Sequence, residues 1–444
     1  MERVSILGSG MAGWGAAYRL LQEGIPSITY DKNDYHGGHT ASWKFDTGFI
    51  FDEGPHVSFT KHEYLQKLFA KSVDEKYEVI QATPNNVWKG LRIKHPAICN
   101  LHGLPTDLKM RCLRDFIEAR EKQVPGEEKQ FDNYADWLIA AYGKTFAETF
   151  PMEYGLKYHT TTADNMSTAW LGPRLYRPKL EEVLLGALSA ETPHVHYVEY
   201  VRYPSFEGFG AYLNLLPKQT QLQLGHKLLQ LDPKKKELHF ANGTVAKYDA
   251  VVSSIPLTEL IPMIAGVPQD VVEAAKKLAC SSCVMVNLGI NRTDLSEGQW
   301  TYFYDRDTIF TRLSFPHMFS PHTCPPGCGS IQAEVYYSDK YRPLKGSPQD
   351  YVAPVIADLK RLGIVREEDK IVHTNVHVSR FAQVIFDLER AAALAKVHGY
   401  LDEIGVAYCG RYGDWLYIWT DESFISGENA AQKTLDRIGL SKAR

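Results

Sequence analysis

Four glycines crowd into eight residues near the start of the chain, within VSILGSGMAGWGAAYRLLQEG (residues 4–24). Glycine weakens strands and helices, so a segment built only for packing avoids it. Here the glycines punctuate a regular pattern. Val4 to Leu7 is a short apolar run suited to a buried parallel strand. Gly8, Gly10 and Gly13 then spell GxGxxG. Residues 14–23 carry Ala16, Ala17, Leu20 and Leu21 at helical spacing, and Gly24 stands where a helix C-cap belongs. A second strand is expected from Ile25 to Tyr30, ending at Asp31. This βαβ pattern is the dinucleotide-binding fingerprint. Gly8 permits the tight turn, Gly10 lets a diphosphate approach bare backbone, and Gly13 lets helix and strand pack closely. The helix start, with Met11 and Ala12, presents free N–H groups to the phosphates. Asp31, 18 residues past Gly13, is placed to accept both ribose hydroxyls, with Lys32 beside it. A glycine-rich turn without a ligand would need all of these parts to coincide by accident.

The rest of the composition limits the alternatives. The chain has 444 residues and a formal net charge of −4, which gives no broad basic surface for nucleic acid. No run approaches the ~18–20 apolar residues of a membrane span. The start, MERVSILG, lacks the pattern of a signal peptide, so a cytoplasmic location is expected, with peripheral membrane attachment left open. Seven scattered cysteines argue against a disulfide framework. Cys280 with Cys283, and Cys324 with Cys328, are spaced like thiolate pairs. The first pair lies on a strand, where residues three apart face opposite sides, and the second in a Pro/Gly turn. No metal site is expected.

After Asp31 comes KNDYHGGHTAS. The spacing DxxxxxGGxxxS resembles the FAD-binding signature of the amine oxidase superfamily, in particular its protoporphyrinogen oxidase-like and UDP-galactopyranose mutase-like branches. The resemblance implies that Gly37, Gly38, His39 and Thr40 contact FAD. Many members carry Arg where this chain has His39, which implies a weakened charged contact. The segment CGRYGDWLYIWTDESFISGENAAQ (409–432) is similar to the family's last FAD motif. By that likeness Gly410 and Arg411 form a turn at the phosphates, and Thr420, Asp421 and Ser423 lie at the flavin edge. Ser426, Gly427 and Ala430 match the helix that closes the site. The implied cofactor is FAD, bound without a covalent link.

A third piece, ELHFANGTVAKYDAVVSSIPLTEL, alternates in polarity, turns at Asn242-Gly243 and continues into the apolar run Ala250–Val252. It resembles the chain's return to the cofactor domain. The expected class is α/β: a Rossmann-like FAD-binding domain with a parallel sheet, discontinuous over 1–60, 215–290 and 400–444. An α+β substrate domain with a helical insert would occupy 61–214 and 291–399. Within it Phe131, Tyr134, Leu138 and Tyr142 recur at helical steps, KLEEVLLGALSA follows Pro178, SIQAEVYYS reads as a strand, and YVAPVIADLKRLGI reads as a helix.

The resemblance also nominates residues for chemistry. His56, in FDEGPHVSF, resembles the mutase GxHxF segment beside the isoalloxazine; a polar loop histidine is the plain alternative. Arg312, in IFTRLSF, resembles an FTR segment that holds substrate phosphate, and a guanidinium suits phosphate or carboxylate alike. Trp419 falls where amine oxidases place an aromatic at the substrate. Trp415, Tyr417 and Trp419 alternate, which predicts one strand face, with two of the three in the core. Tyr412, Tyr158, Trp170 and Arg174 are further pocket candidates. The flavin-facing Lys usual in amine oxidases has no counterpart in CVMVNLGI, where Asn287 is the nearest polar residue. The implied activity is an FAD-dependent oxidoreductase acting on a small molecule, an anionic one if Arg312 is its anchor. A non-redox isomerase of a nucleotide sugar and a non-catalytic flavoprotein are the alternatives.

Overall fold

The computed structural model describes residues 4–122, 130–172, 175–193, 195 and 198–440. Strands Val4–Leu7, Ser27–Tyr30, Gln221–Gln223, Ala250–Ser253 and Val406–Tyr408 form a five-stranded, fully parallel sheet. Val4–Leu7 is at its centre, between Ala250–Ser253 and Ser27–Tyr30. Val4, Ile6, Val251 and Val252 are at most 1% exposed, as a sheet covered on both faces demands. The hairpin at Asn242-Gly243 joins Glu237–Phe240 to Val245–Lys247 as expected.

The first helix, Met11–Gln22, starts at Met11, earlier than the apolar spacing suggested, because Gly10 serves as its N-cap. It packs on the last helix, Thr420–Arg437, at backbone distance. A Cβ on Gly427 would stand 1.9 Å from the Ala12 carbonyl oxygen, so only glycine permits this approach.

The second sheet has seven strands. In order they are Ile371–Ile385, Ala279–Ile290, Gly329–Tyr337, Arg312–Ser314, Trp300–Phe303, Pro84–Trp88 and Leu91–Lys94. Side-chain alternation splits it into two unlike faces. Val284, Val286, Leu288, Leu313, Ile331, Ala333 and Val335 point to a core shared with Val355 and Leu359 of helix Val352–Arg361. The opposite face carries one row in register across five strands: Tyr302, Arg312, Glu334, Met285 and His377. Strand Ala279–Ile290 pairs antiparallel with Gly329–Tyr337 and Ile371–Ile385 in this mixed sheet and not with the five-stranded parallel one. Its alternation of Cys283, Met285 and Asn287 with Val284, Val286 and Leu288 is that of a strand with one polar face.

The insert contributes helices Thr106–Glu121, Tyr134–Tyr142, Lys144–Thr149, Pro151–His159 and Leu180–Leu188. The helical stretch expected from Phe131 onward begins only at Tyr134, where the Asn133 side chain accepts from the Asp136 N–H at 2.9 Å. It breaks at Gly143, whose φ of +78° and contact with the Asp115–Phe116 backbone exclude a side chain.

Candidate active site

One cavity of about 1070 Å³ is lined by residues of both sheets. It exceeds the ~300–1,000 Å³ of an ordinary single-ligand pocket. Its two ends differ in character.

The first end is glycine backbone. Gly8 has φ +102°, and a Cβ there would meet Ser254 Oγ at 2.2 Å. A Cβ on Gly13 would lie 1.9 Å from the Gly8 carbonyl oxygen; Gly13 stays off the cavity wall and lets the helix sit against the turn. Gly10 bridges to Gly37, whose N–H donates to the Ser9 carbonyl at 3.0 Å. A Cβ on Gly38 would stand 3.4 Å from Gly10 Cα, and Thr40 Oγ1 closes the second turn by donating to the Gly37 carbonyl at 2.7 Å. Two glycine turns thus meet at the start of helix Met11–Gln22, which no side chain caps and no acid occupies. Met11 and Ala12 line the cavity there. This cleft of bare backbone at a free helix N-terminus fits the diphosphate of a dinucleotide.

Asp31 lines the same end, at 7% exposure. Its carboxylate accepts from Ser9 N–H at 2.8 Å, Ser9 Oγ–H at 2.6 Å and Asn33 N–H at 2.9 Å. Three of about four lone-pair sites are in use, so one remains where two ribose hydroxyls were expected. Lys32 also lines the cavity, 3.6 Å from Glu259.

His39 is tied to Glu53 (3.3 Å) and lies 3.3 Å from Ser379 Oγ, while His377 stands 3.6 Å from the same Glu53 oxygen. Burial acts to raise the Glu53 pKa, but the two imidazoles outweigh it and hold the carboxyl down at about 2. The residue that replaces the family's Arg is thus part of a His–Glu–His cluster on the cavity wall. His56 Nδ1 lies 2.9 Å from the Gly54 carbonyl oxygen. Burial, then the nearby Arg411 charge, pushes the His56 pKa down to about 4, so the ring is neutral at physiological pH.

The last motif departs from the strand expected for it. Arg411–Trp415 forms a single π-helical turn after Gly410, and Trp415 takes φ +52°. That turn breaks the two-residue alternation. Trp415 goes to the core, fully buried, with Arg390 donating to its carbonyl through Nε at 2.9 Å and through Nη2. Tyr417 and Trp419 line the cavity, so one of the three aromatics is core where two were expected. Thr420 and Ser423, in the first turn of the last helix, also line it; Asp421 does not. Gly410 N–H donates to Ser426 Oγ at 2.8 Å. Arg411 donates to the Ile418 carbonyl at 2.9 Å and to Gln383 Oε1 at 3.2 Å. Tyr412 lines the cavity too, its hydroxyl held by the Phe381 carbonyl at 2.5 Å.

The second end is the polar face of the seven-stranded sheet with a wall of aromatics. Tyr158, Tyr302, Tyr336, Tyr417, Trp300 and Trp419 line the cavity together with Arg312 and Glu334. Arg312 does not present a free guanidinium. It is locked to Glu334 through Nε (2.5 Å) and Nη2 (2.8 Å). Trp170 packs behind this wall, 6.0 Å from the Tyr417 ring, and Arg174 lies outside the described residues. Asn287 is bonded to Gln332 at 3.0 Å and does not reach the cavity; Met285 and Cys283 occupy the strand positions that do. Glu334, Tyr302, Tyr336, Met285 and His377 went unnoticed in the sequence. The period-two pattern of SIQAEVYYS, with Gln332, Glu334 and Tyr336 on one face, was the signal that could have found them.

Comparison with known proteins bears on this arrangement. A family model for flavin-containing amine oxidoreductases matches residues 11–435. The 4,4'-diapolycopene oxygenase of Methylomonas sp. is 24% identical over 84% of this chain and 83% of its own. The 15-cis-phytoene desaturase of Synechococcus elongatus is 36% identical, but the match spans 15% of this chain and only 14% of that enzyme's length. A reduced UDP-galactopyranose mutase superposes with a TM-score of 0.91, covering 99% of this chain and 94% of its own, at 24% identity, which shows a shared fold. The chain belongs to the flavin-containing amine oxidoreductase family.

Proposed function

We propose that this protein is an FAD-dependent oxidoreductase acting on a small molecule. The observation that carries the reading is the single cavity running from the glycine cleft to the Tyr- and Trp-lined sheet face. When bound, FAD would accept substrate hydride at N5 and be reoxidised by oxygen or another acceptor. Gly8, Gly10, Met11, Ala12, Gly37 and Gly38 would hold the diphosphate. Asp31 would brace the glycine turn and take one ribose hydroxyl. Neutral His56 would offer Nε2 for a hydrogen bond without adding charge. The wall formed by Tyr158, Tyr336, Tyr417 and Trp419 would exclude water and orient the substrate. The names of the oxygenase and the desaturase among the relatives are those of redox enzymes, which favours this reading.

The isomerase alternative rests on Arg312, Arg174 and His56; of these Arg312 gives Nε and Nη2 to Glu334, His56 is held neutral, and Arg174 lies outside the described residues. Anaerobic titration of the purified holoprotein tests both readings. Bleaching of the flavin band by a candidate substrate supports oxidation. Turnover of a sugar nucleotide only after dithionite reduction, with no oxidised product, would replace it with the isomerase.

A further inference from the structure

The substrate end of the cavity carries a charge pattern of its own. Arg312 and Glu334 are direct neighbours on adjacent strands, and Glu334 is 2% exposed. Both partners line the cavity. Nε and Nη2 of the guanidinium are used on Glu334; Nη1 makes no hydrogen bond to a described residue. The pair sums to zero charge. The phenols around it add none, because burial holds Tyr158, Tyr302 and Tyr336 above the ordinary 10. Tyr302 accepts from Trp300 Nε1 at 2.9 Å, which leaves its own O–H to donate, and the Tyr158 and Tyr417 hydroxyls stand 3.5 Å apart.

We infer that this end takes an uncharged, ring-bearing substrate with several hydroxyl groups, and that Glu334 is the residue that excludes anions. This rests on the oxidoreductase reading of the same cavity. Three ligand classes fail on physical grounds. An anion placed at Arg312 would sit against the Glu334 carboxylate, which is 2% exposed, so that the two like charges repel with little water between them. A cation would meet the guanidinium while finding both Glu334 oxygens engaged. A pure hydrocarbon would strip water from the phenols and from Nη1 and give no hydrogen bond in return. A hydroxylated ring satisfies donors and acceptors together and lays its apolar face on Trp419 or a tyrosine.

The test uses holoprotein as purified, with FAD content measured first, so that loss of cofactor is seen separately from loss of substrate selectivity. Phenyl glucoside and phenyl glucoside 6-phosphate, which differ by one phosphate, are titrated while the flavin spectrum is followed. The wild type is expected to bind the neutral probe at least tenfold more tightly. Glu334→Gln, which keeps the shape and removes the charge, is expected to narrow that ratio at least tenfold. An Arg312→Gln/Glu334→Gln pair, with neither charge, should bind the neutral probe and still reject the phosphate. Equal or tighter phosphate binding by the wild type overturns the inference even if Glu334→Gln does not fold. So does an unchanged ratio in a folded Glu334→Gln, or a flavin that responds to neither probe at millimolar concentration.

Discussion

Arg312 and Glu334 stand directly opposite one another on adjacent antiparallel strands and share two hydrogen bonds, 2.5 and 2.8 Å long. A pair of this kind is worth little net, but breaking it is costly, because the remaining charge is left buried without a partner. Arg312→Met is therefore expected to destabilise the protein by ~3–5 kcal/mol, and Arg312→Met/Glu334→Met to recover most of that loss. Denaturant melts of wild type, single and double variants check the non-additivity. Additive losses would mean that the two residues act independently.

Two glycines of the first motif have separable jobs. At Gly10 a Cβ would make only ordinary contacts, the nearest being the Gly37 carbonyl oxygen at 3.5 Å. Gly10→Ala should fold with near-normal stability and lose at least tenfold in FAD affinity, since the methyl group projects into the cleft. At Gly13 the Cβ would collide with the Gly8 carbonyl at 1.9 Å, so Gly13→Ala should lower thermal stability whether or not FAD is present. FAD titration of the apoproteins, paired with melting curves, distinguishes the two patterns.

Asp52 holds the segment that leads to Glu53 and His56. Its carboxylate accepts from Ser42 Oγ and Tyr203 Oη, both at 2.6 Å, and from Phe209 N–H at 3.0 Å. Burial outweighs these three donors and pushes the pKa up to about 6 from an ordinary 3.8. The folded state therefore binds the proton more tightly than the unfolded chain. Stability falls as pH rises from about 4 to about 6, by ~3 kcal/mol from this group, and is level above that. Asp52→Asn removes the slope. The difference between wild type and variant, from denaturation at several pH values, should shift by that amount in favour of the variant as pH rises; a flat difference would contradict it.

Much of the cofactor end was legible because its physics is local. Glycine spacing, a strand before it and a helix after it are all neighbours in sequence, so Gly8, Gly10 and Gly13 could be given separate roles from one line of text. Asp31 was located but not its commitments, because the Ser9 hydroxyl that occupies it is set by the turn's three-dimensional path. The substrate end was less legible. Glu334 becomes Arg312's partner only through strand pairing, which brings together residues 22 apart. The aromatics after Gly410 misled for a different reason: an alternating pattern was taken for a strand, and the π-helical turn that sends Trp415 to the core carries no two-residue signal. Strand Ala279–Ile290 was legible as a strand, but an apolar run does not reveal which sheet it joins.

The most direct test of the account is the cofactor content of the protein as isolated. Denaturation of the purified chain should release stoichiometric FAD into the supernatant, identified by chromatography and leaving no flavin on the polypeptide. Apoprotein prepared from it should regain the same amount on incubation with FAD, and Gly10→Ala should need at least tenfold more FAD to do so. A colourless preparation that takes up no FAD would contradict the central claim, because the glycine cleft would then have no diphosphate to hold.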